Sequence, residues 1–293
     1  METKAIGGAP ASGEERVRKL FRDVLDGHKL PSLPVVANKV LEMIKAPDAS
    51  MQKLCRVLAD DTALAARALA VSRSPQYGLR SLPTNLLGAV QVLGLRTLTS
   101  IVVANATQSL CIKGNKTSEK LWNHSLAVAF ATRLLSKRAG MSDGDLAFLT
   151  GLMHDVGQIL FVQSDPIGYE KMVTGDLQPS CSIVDKEQQH YGLDHSVMGF
   201  TILGHWNMDP QLVQAVFNHH SDVSADGTNQ LAETLALADY LCAKCDLGFF
   251  TEPQVPSAQA LARHGWEGEQ TTDDVVEQIR RAFHEESALF TSN

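Results

Sequence analysis

The chain has 293 residues, with 26 Lys plus Arg against 33 Asp plus Glu and a formal net charge of −7 at pH 7. That balance excludes a general nucleic-acid binder, whose footprint is a basic patch or a high pI; at 44% hydrophobic and 20% charged residues the composition is that of a globular chain rather than a disordered one. No uninterrupted apolar run reaches the length of a membrane span and Met1 to Glu15 has no apolar signal core, so no membrane insertion and a cytoplasmic location are expected.

Residues 1–15 read as a flexible lead-in. Glu14 to Asp26 then predicts a helix with Val17, Leu20, Phe21, Val24 and Leu25 on one face. Pro31 and Pro34 interrupt before Val35 to Ile44, and Pro47 to Ser50 is a turn capping Met51 to Ala59. An alanine-rich helix runs from Asp60-Asp61-Thr62 to about Val71, Asn85 to Leu93 is a short helix stopped by Gly94, and Arg96 to Leu110 is another. Gly114-Asn115-Lys116 is the best boundary, so a helical subdomain over 16–114 is expected, followed by a second over 115–247 and a C-terminal extension over 248–293.

In the second subdomain, Ser118 is expected to cap a helix to about Arg138, whose face Leu121, Val128 and Leu135 turns His124 inward. Ser142 to Asp145 resembles a capping box and opens a helix containing His154, Asp155 and Val156. Ser182 to Gln189 is helical, Asp194 caps a helix with His195 in its first turn, and Asp209-Pro210 starts one reaching His219-His220. Glu233 to Lys244 carries Asp239, and a last amphipathic helix covers about Thr272 to Phe290. Alternating strand-like runs are scarce and aromatics are 6%, so the fold is expected to be all-α.

Five cysteines, an odd number, do not form a disulfide framework. Cys242 and Cys245 make a lone C-x-x-C inside a helical pattern, without the second pair a structural zinc site needs, and read as ordinary thiols.

Seven of the ten histidines (His124, His154, His190, His195, His205, His219 and His220) lie in the central stretch. Inward-facing histidines and aspartates need partners, since an unpaired buried polar group costs several kcal/mol. A metal ion satisfies many at once, and imidazole with carboxylate suits Fe, Mn, Zn or Ni. Neighbours on a helix diverge by about 100°, so His154 and Asp155 can both serve only at a helix end or between two ions. The helix dipole would bias His195 toward its neutral, ligating form. His190, His205, His264 and His284 read as ordinary polar residues. A metal-free polar network is the alternative for the rest.

Leu30-Pro31-Ser32-Leu33-Pro34, Leu58 to Leu64, Leu93-Gly94-Leu95, Trp122-Asn123-His124-Ser125, Gly151 to Gly157, Asp194-His195, Trp206 to Pro210, His219-His220 and Ala238-Asp239 together resemble HDOD domains, from about Gly27 to Leu241. These are all-helical bacterial signalling relatives of the HD phosphohydrolase superfamily. The resemblance implies an N-terminal HDOD subdomain packed on a C-terminal HD-like one. It places the superfamily's metal pattern on His124, His154, Asp155 and Asp239, and the added histidines of the related HD-GYP branch on His195, His219 and His220, for one or two divalent ions. Departures are Gln158 where active HD-GYP domains carry a phosphate-binding lysine, Lys120 where a ligand glutamate stands, Ser221-Asp222-Val223 in place of Gly-Tyr-Pro, and Arg73-Ser74 for Asn-Ser. The function expected is a non-catalytic regulatory module that binds a signalling protein or a cyclic-nucleotide messenger. The alternative is a metal-dependent phosphodiesterase or phosphohydrolase, with His154 and Asp155 as catalytic candidates.

Overall fold

The fold, taken from a computed structural model, is described for residues 12–26, 33–45, 50–175, 181–221, 229–249, 256, 261–262, 264 and 269–290. Among the described residues there is no strand. The chain forms α1 (Gly13–Leu25), α2 (Val35–Lys45), α3 (Met51–Ala59), α4 (Thr62–Ser72) and α5 (Leu86–Gln108), then α6 (Lys116–Arg138), α7 (Gly144–Met153), α8 (Val156–Ser164) and α9 (Pro166–Thr174). It continues through α10 (Ile183–Tyr191), α11 (His195–His205), α12 (Pro210–Asn218), α13 (Gln230–Lys244) and α14 (Glu269–Glu286), with short 3₁₀ turns at Pro75–Tyr77 and Ser287–Leu289.

Side-chain caps set most helix starts by occupying the orphan N–H groups of the first turn. Ser50, Asp61, Asn85, Ser182, Asp194 and Asp209 each accept from a backbone N–H two or three residues on. Pro210 follows Asp209 at the first helical position. Two expected caps shift by a few residues. Asn115 caps α6 by accepting from Ser118, while the Ser118 hydroxyl accepts from the Ile112 N–H. Asp143, not Ser142, caps α7. The expected lead-in is shortened as well, because Ser12 and Glu15 close a reciprocal capping box that starts α1 at Gly13; residues 1–11, the Pro47 turn and Pro31 lie outside the described residues.

The apolar faces meet in one continuous cluster that runs from Val17 and Leu58 through Leu98, Phe130 and Phe161 to Val216. α5 packs on α2, α3 and α4 and crosses to α7; α6 packs on α7, α13 and α14; α11 packs on α8 and α12. α1 lies on α8, α9, α10 and α11, with the Arg16 guanidinium donating to Ser164 O at 2.7 Å and Arg18 to Tyr191 O at 3.0 Å. A second cluster joins α6, α13 and α14 through Leu135, Leu241 and Ile279.

Two stretches, Leu86–Gln108 and Gly144–Ser164, are long and on average apolar enough to cross a membrane by length and composition, although polar residues such as Arg96 and Gln158 interrupt both. In the fold both are interrupted. Gly94, at φ 71° and ψ 174°, breaks α5 where the sequence predicted a stop, and the second stretch is divided at His154–Asp155 into two core helices.

Candidate metal centre

Each of the seven predicted site residues is delivered by a different feature of a helix. The buried stripe of α6 carries His124 inward, where it is 3% exposed. His154 is the C-cap of α7 and Asp155 the N-cap of α8, so the chain turns between them. His195 is the first residue of α11, held by the Asp194 cap. His219 ends α12 and His220 follows it. Asp239 projects from α13.

All seven converge. His124 Nε2 lies 3.1 Å from Asp239 Oδ1 and 3.5 Å from Asp155 Oδ2, and His154 Nε2 lies 3.1 Å from that same Asp155 oxygen. The other Asp155 oxygen, Oδ1, lies 3.5 Å from His195 Nε2 and 3.9 Å from His219 Nε2. His195 Nε2 is in turn 2.9 Å from His220 Nε2 and 3.4 Å from His219 Nε2. The donors therefore form overlapping groups: His124–His154–Asp239 at one end, His195–His219–His220 at the other, and His154–Asp155–His219 between them, with Asp155 turning one carboxylate oxygen to each end.

The outer ring nitrogens are tied to the fold. The Nδ1 atoms of His124, His154 and His219 lie 3.0, 2.7 and 2.6 Å from the carbonyls of Leu247, Gly151 and Val216. In the neutral form each of those rings donates outward through Nδ1–H, which turns the Nε2 lone pair toward the centre. Three imidazole nitrogens crowded edge to edge repel unless a proton or a cation lies among them. His154 Nε2 is buried and makes no hydrogen bond. Ligands about 2.0–2.1 Å from a tetrahedral ion are roughly 3.4 Å apart, close to the His195–His219 spacing. The donor set thus fits divalent ions of the imidazole-and-carboxylate class.

Burial and neighbours divide the titrating groups. Burial disfavours the charged form of His124, but its hydrogen bond to Asp239 and the charges of Asp239 and Asp155 outweigh it and raise His124 to about 8. Burial likewise opposes Asp155 and Asp239 ionising, yet the imidazoles hold both carboxyls below their usual range, Asp155 strongly so. His219 and His220 are driven down by burial and by the neighbouring histidines, His220 to about 4. His195 departs from expectation. The helix dipole was expected to keep it neutral, and burial acts the same way, but the Glu187 carboxylate raises it to about 9.

Glu187 is the site residue that sequence reasoning missed. It lies on α10 among Asp185, Lys186, Gln188 and Gln189, a run that reads as a solvated face. It is fully buried, and its Oε2 lies 2.6 Å from His195 Nδ1. The signal available was only that His195 lies eight residues downstream, which does not single Glu187 out.

Gln158 also differs from its expected place. Its side chain is 1% exposed, with Nε2 3.4 Å from His195 Nδ1, behind the ring rather than at the inner Nε2 face. A side chain there stands beside His195 and cannot meet a phosphate from solvent. Lys120 is exposed one turn before His124. Asp222 and Val223 lie outside the described residues. Of the other histidines, His190 pairs loosely with Asp165 at 3.9 Å, and His205 and His284 are exposed. Cys242 and Cys245 are buried free thiols, both pushed up by burial, Cys245 to about 11.

The sequence profile of the HDOD domain matches residues 30–222. Among solved structures, an HDOD domain protein of unknown function from Geobacter sulfurreducens is 22% identical with a TM-score of 0.70, covering 92% of this chain and 98% of its own. A proposed phosphohydrolase of Shewanella amazonensis is 23% identical with a TM-score of 0.68, covering 93% of this chain and 98% of its own. A proposed signal transduction protein of Marinobacter aquaeolei is 18% identical with a TM-score of 0.70, covering 93% of this chain and 65% of its own. An uncharacterized protein of Treponema pallidum is 20% identical over 283 residues, 88% of this chain; the chain spans 54% of that relative's length. At these identities the solved structures establish a shared fold.

Proposed function

The chain belongs to the HDOD family, and from that premise we propose that it is a regulatory signal-transduction module. Its buried His/Asp centre holds divalent ions, one at each end, as a staple between helices. The module acts by binding a signalling protein or a cyclic-nucleotide messenger. The observation that carries this reading is the burial of most of the centre: His124, His154, Asp155, His195 and His219 are each no more than 3% exposed, and only His220 and Asp239 of the seven are partly open. A hydrolytic site needs room for a phosphate and a cation to receive it. Gln158 is sealed behind His195 instead.

One observation favours a second reading, a metal-dependent phosphohydrolase. Asp155 faces both groups, the placement of a carboxylate shared by a pair of ions. Ions bound there would supply positive charge and Lewis acidity toward a phosphate ester. Asp155 would then hold the two groups in register, while the backbone carbonyls behind His124, His154 and His219 would keep their Nε2 atoms aimed inward.

Elemental analysis of the untagged, full-length protein tests the common ground: two equivalents of a transition metal are expected, and none would overturn both readings. Assays on cyclic dinucleotides and on a phosphodiester chromogen then separate them. The module reading expects no turnover; turnover abolished by Asp155→Ala would replace it with the hydrolase.

A further inference from the structure

The two groups differ in charge. His124–His154–Asp239 contains its own carboxylate, whereas His195–His219–His220 is all imidazole and shares only Asp155 Oδ1. A cation among neutral rings in an apolar interior lacks the compensating charge that burial demands. Behind His195, Glu187 supplies such a charge. Its Oε2 accepts from both the backbone N–H of His195 at 2.8 Å and the ring Nδ1 at 2.6 Å, and its Oε1 accepts from the Tyr169 hydroxyl at 2.7 Å. Glu187, Tyr169 and His195 are all fully buried.

Holding one residue by its backbone and its ring at once fixes the ring's direction, and with it where Nε2 points. The rings of His124, His154 and His219 rest on neutral carbonyls, so His195 differs from them in resting on a full negative charge. A carboxylate behind a ligating imidazole makes the ring a stronger donor. Full burial of a glutamate is costly unless it is paired and hydrogen-bonded, and here all three hydrogen bonds serve to hold His195 or the carboxylate itself.

We propose that Glu187, oriented by Tyr169, is a positioning residue that lets the all-imidazole group hold its own divalent ion tightly; without it that group binds its ion more weakly. This rests on the reading of the centre as a two-ion site.

The test is calorimetric titration of Mn²⁺ into chelator-treated, full-length protein. Wild type is expected to take up two equivalents. Glu187→Gln, close in shape but uncharged, is expected to keep the first equivalent and to weaken the second by 10- to 100-fold. Retention of the first equivalent at His124–His154–Asp239 distinguishes a positioning role from general damage to the fold. Tyr169→Phe keeps the carboxylate and loses one hydrogen bond, and should weaken the second equivalent by only a few-fold. Should Glu187→Gln fail to fold, Tyr169→Phe decides alone, and an unchanged second equivalent in it overturns the proposal. Two equivalents of unaltered affinity in Glu187→Gln also overturn it while leaving the two-ion centre intact. A wild type that binds no Mn²⁺, Zn²⁺ or Fe²⁺ refutes the centre itself, and one that binds a single ion unaffected by Glu187→Gln refutes the role of Glu187.

Discussion

His154 Nε2 and Asp155 Oδ2 lie 3.1 Å apart although the two residues are neighbours in sequence. On an uninterrupted helix they would point about 100° apart. They meet because α7 ends at His154 and α8 begins after Asp155, whose φ of −102° and ψ of 19° turn the chain. The break lets the histidine serve one group while the carboxylate reaches both.

Replacing Asp155 by alanine should therefore remove both ions and destabilise the metal-free chain. In the absence of metal, Asp155 is the carboxylate that reaches His124, His154 and His195 together, at 3.5, 3.1 and 3.5 Å. Removing one member of a buried charged set costs about 3–5 kcal/mol. Urea unfolding of chelated wild type and Asp155→Ala measures it; a difference under about 1 kcal/mol would show that the histidines do not depend on this carboxylate.

Gln158→Lys should not create phosphodiesterase activity. The new ammonium would be enclosed behind His195 beside Glu187 rather than exposed to a substrate, and would compete with His195 for that carboxylate. A lower melting temperature is expected, by several degrees, since an ill-fitting buried charge typically costs a few kcal/mol. Robust turnover by this variant, at unchanged stability, would refute the placement of the side chain.

Most of the helices were legible because they rest on local signals, whereas the grouping of the seven candidate ligands came from the resemblance and not from spacing. Caps such as Asp194 and Asp209 announce helix starts, and histidines at apolar spacing announce an inward direction. The single helix expected to contain His154, Asp155 and Val156 is instead two, broken at His154–Asp155; of the two arrangements the sequence left open for that pair, the structure has the helix end. Glu187 was not legible, because its burial depends on α10 packing beside Tyr169 and the start of α11, a tertiary fact that overrides a polar neighbourhood. The direction of the His195 shift was lost for the same reason: the dipole of its own helix is a local effect, and the carboxylate that outweighs it arrives from another helix. Gln158 illustrates the same point, since the sequence showed only that a phosphate-binding lysine is replaced there, and not that the fold encloses the side chain beside His195.

Metal affinity should rise with pH between about 6 and 9. His124 is raised to about 8 and His195 to about 9, so below those values each carries a proton that an incoming ion must displace. His219 is strongly lowered and His220 falls to about 4; both are already neutral across that range and add no competing proton. Loading both groups near pH 7 should thus release up to about two protons, and the release should fall away as the pH rises through about 9. Calorimetry in buffers of different ionisation enthalpy counts the protons. Affinity that is flat from pH 6 to 9 would place His124 and His195 outside the binding reaction.

Gly157 should be irreplaceable for a steric reason that links the fold to the centre. An added Cβ at this position would lie 2.8 Å from His195 Cα and would also strike the His195 carbonyl, both backbone atoms that no rotamer change can move aside. α8 and α11 approach this closely because residue 157 has no side chain, and that approach sets His195 against Asp155 Oδ1 at 3.5 Å. Gly157→Ala must therefore push the start of α11 outward, with overpacking of a buried contact costing about 1–3 kcal/mol or more. The displacement carries His195 away from His219 and His220, while His124, His154 and Asp239, on α6, α7 and α13, are not in its path. Mn²⁺ titration should show the second equivalent weakened at least 10-fold and the first little changed, alongside a lower unfolding midpoint. Loss of stability with both equivalents intact would mean that α11 can shift without moving His195, and would separate the packing role of Gly157 from the geometry of the centre.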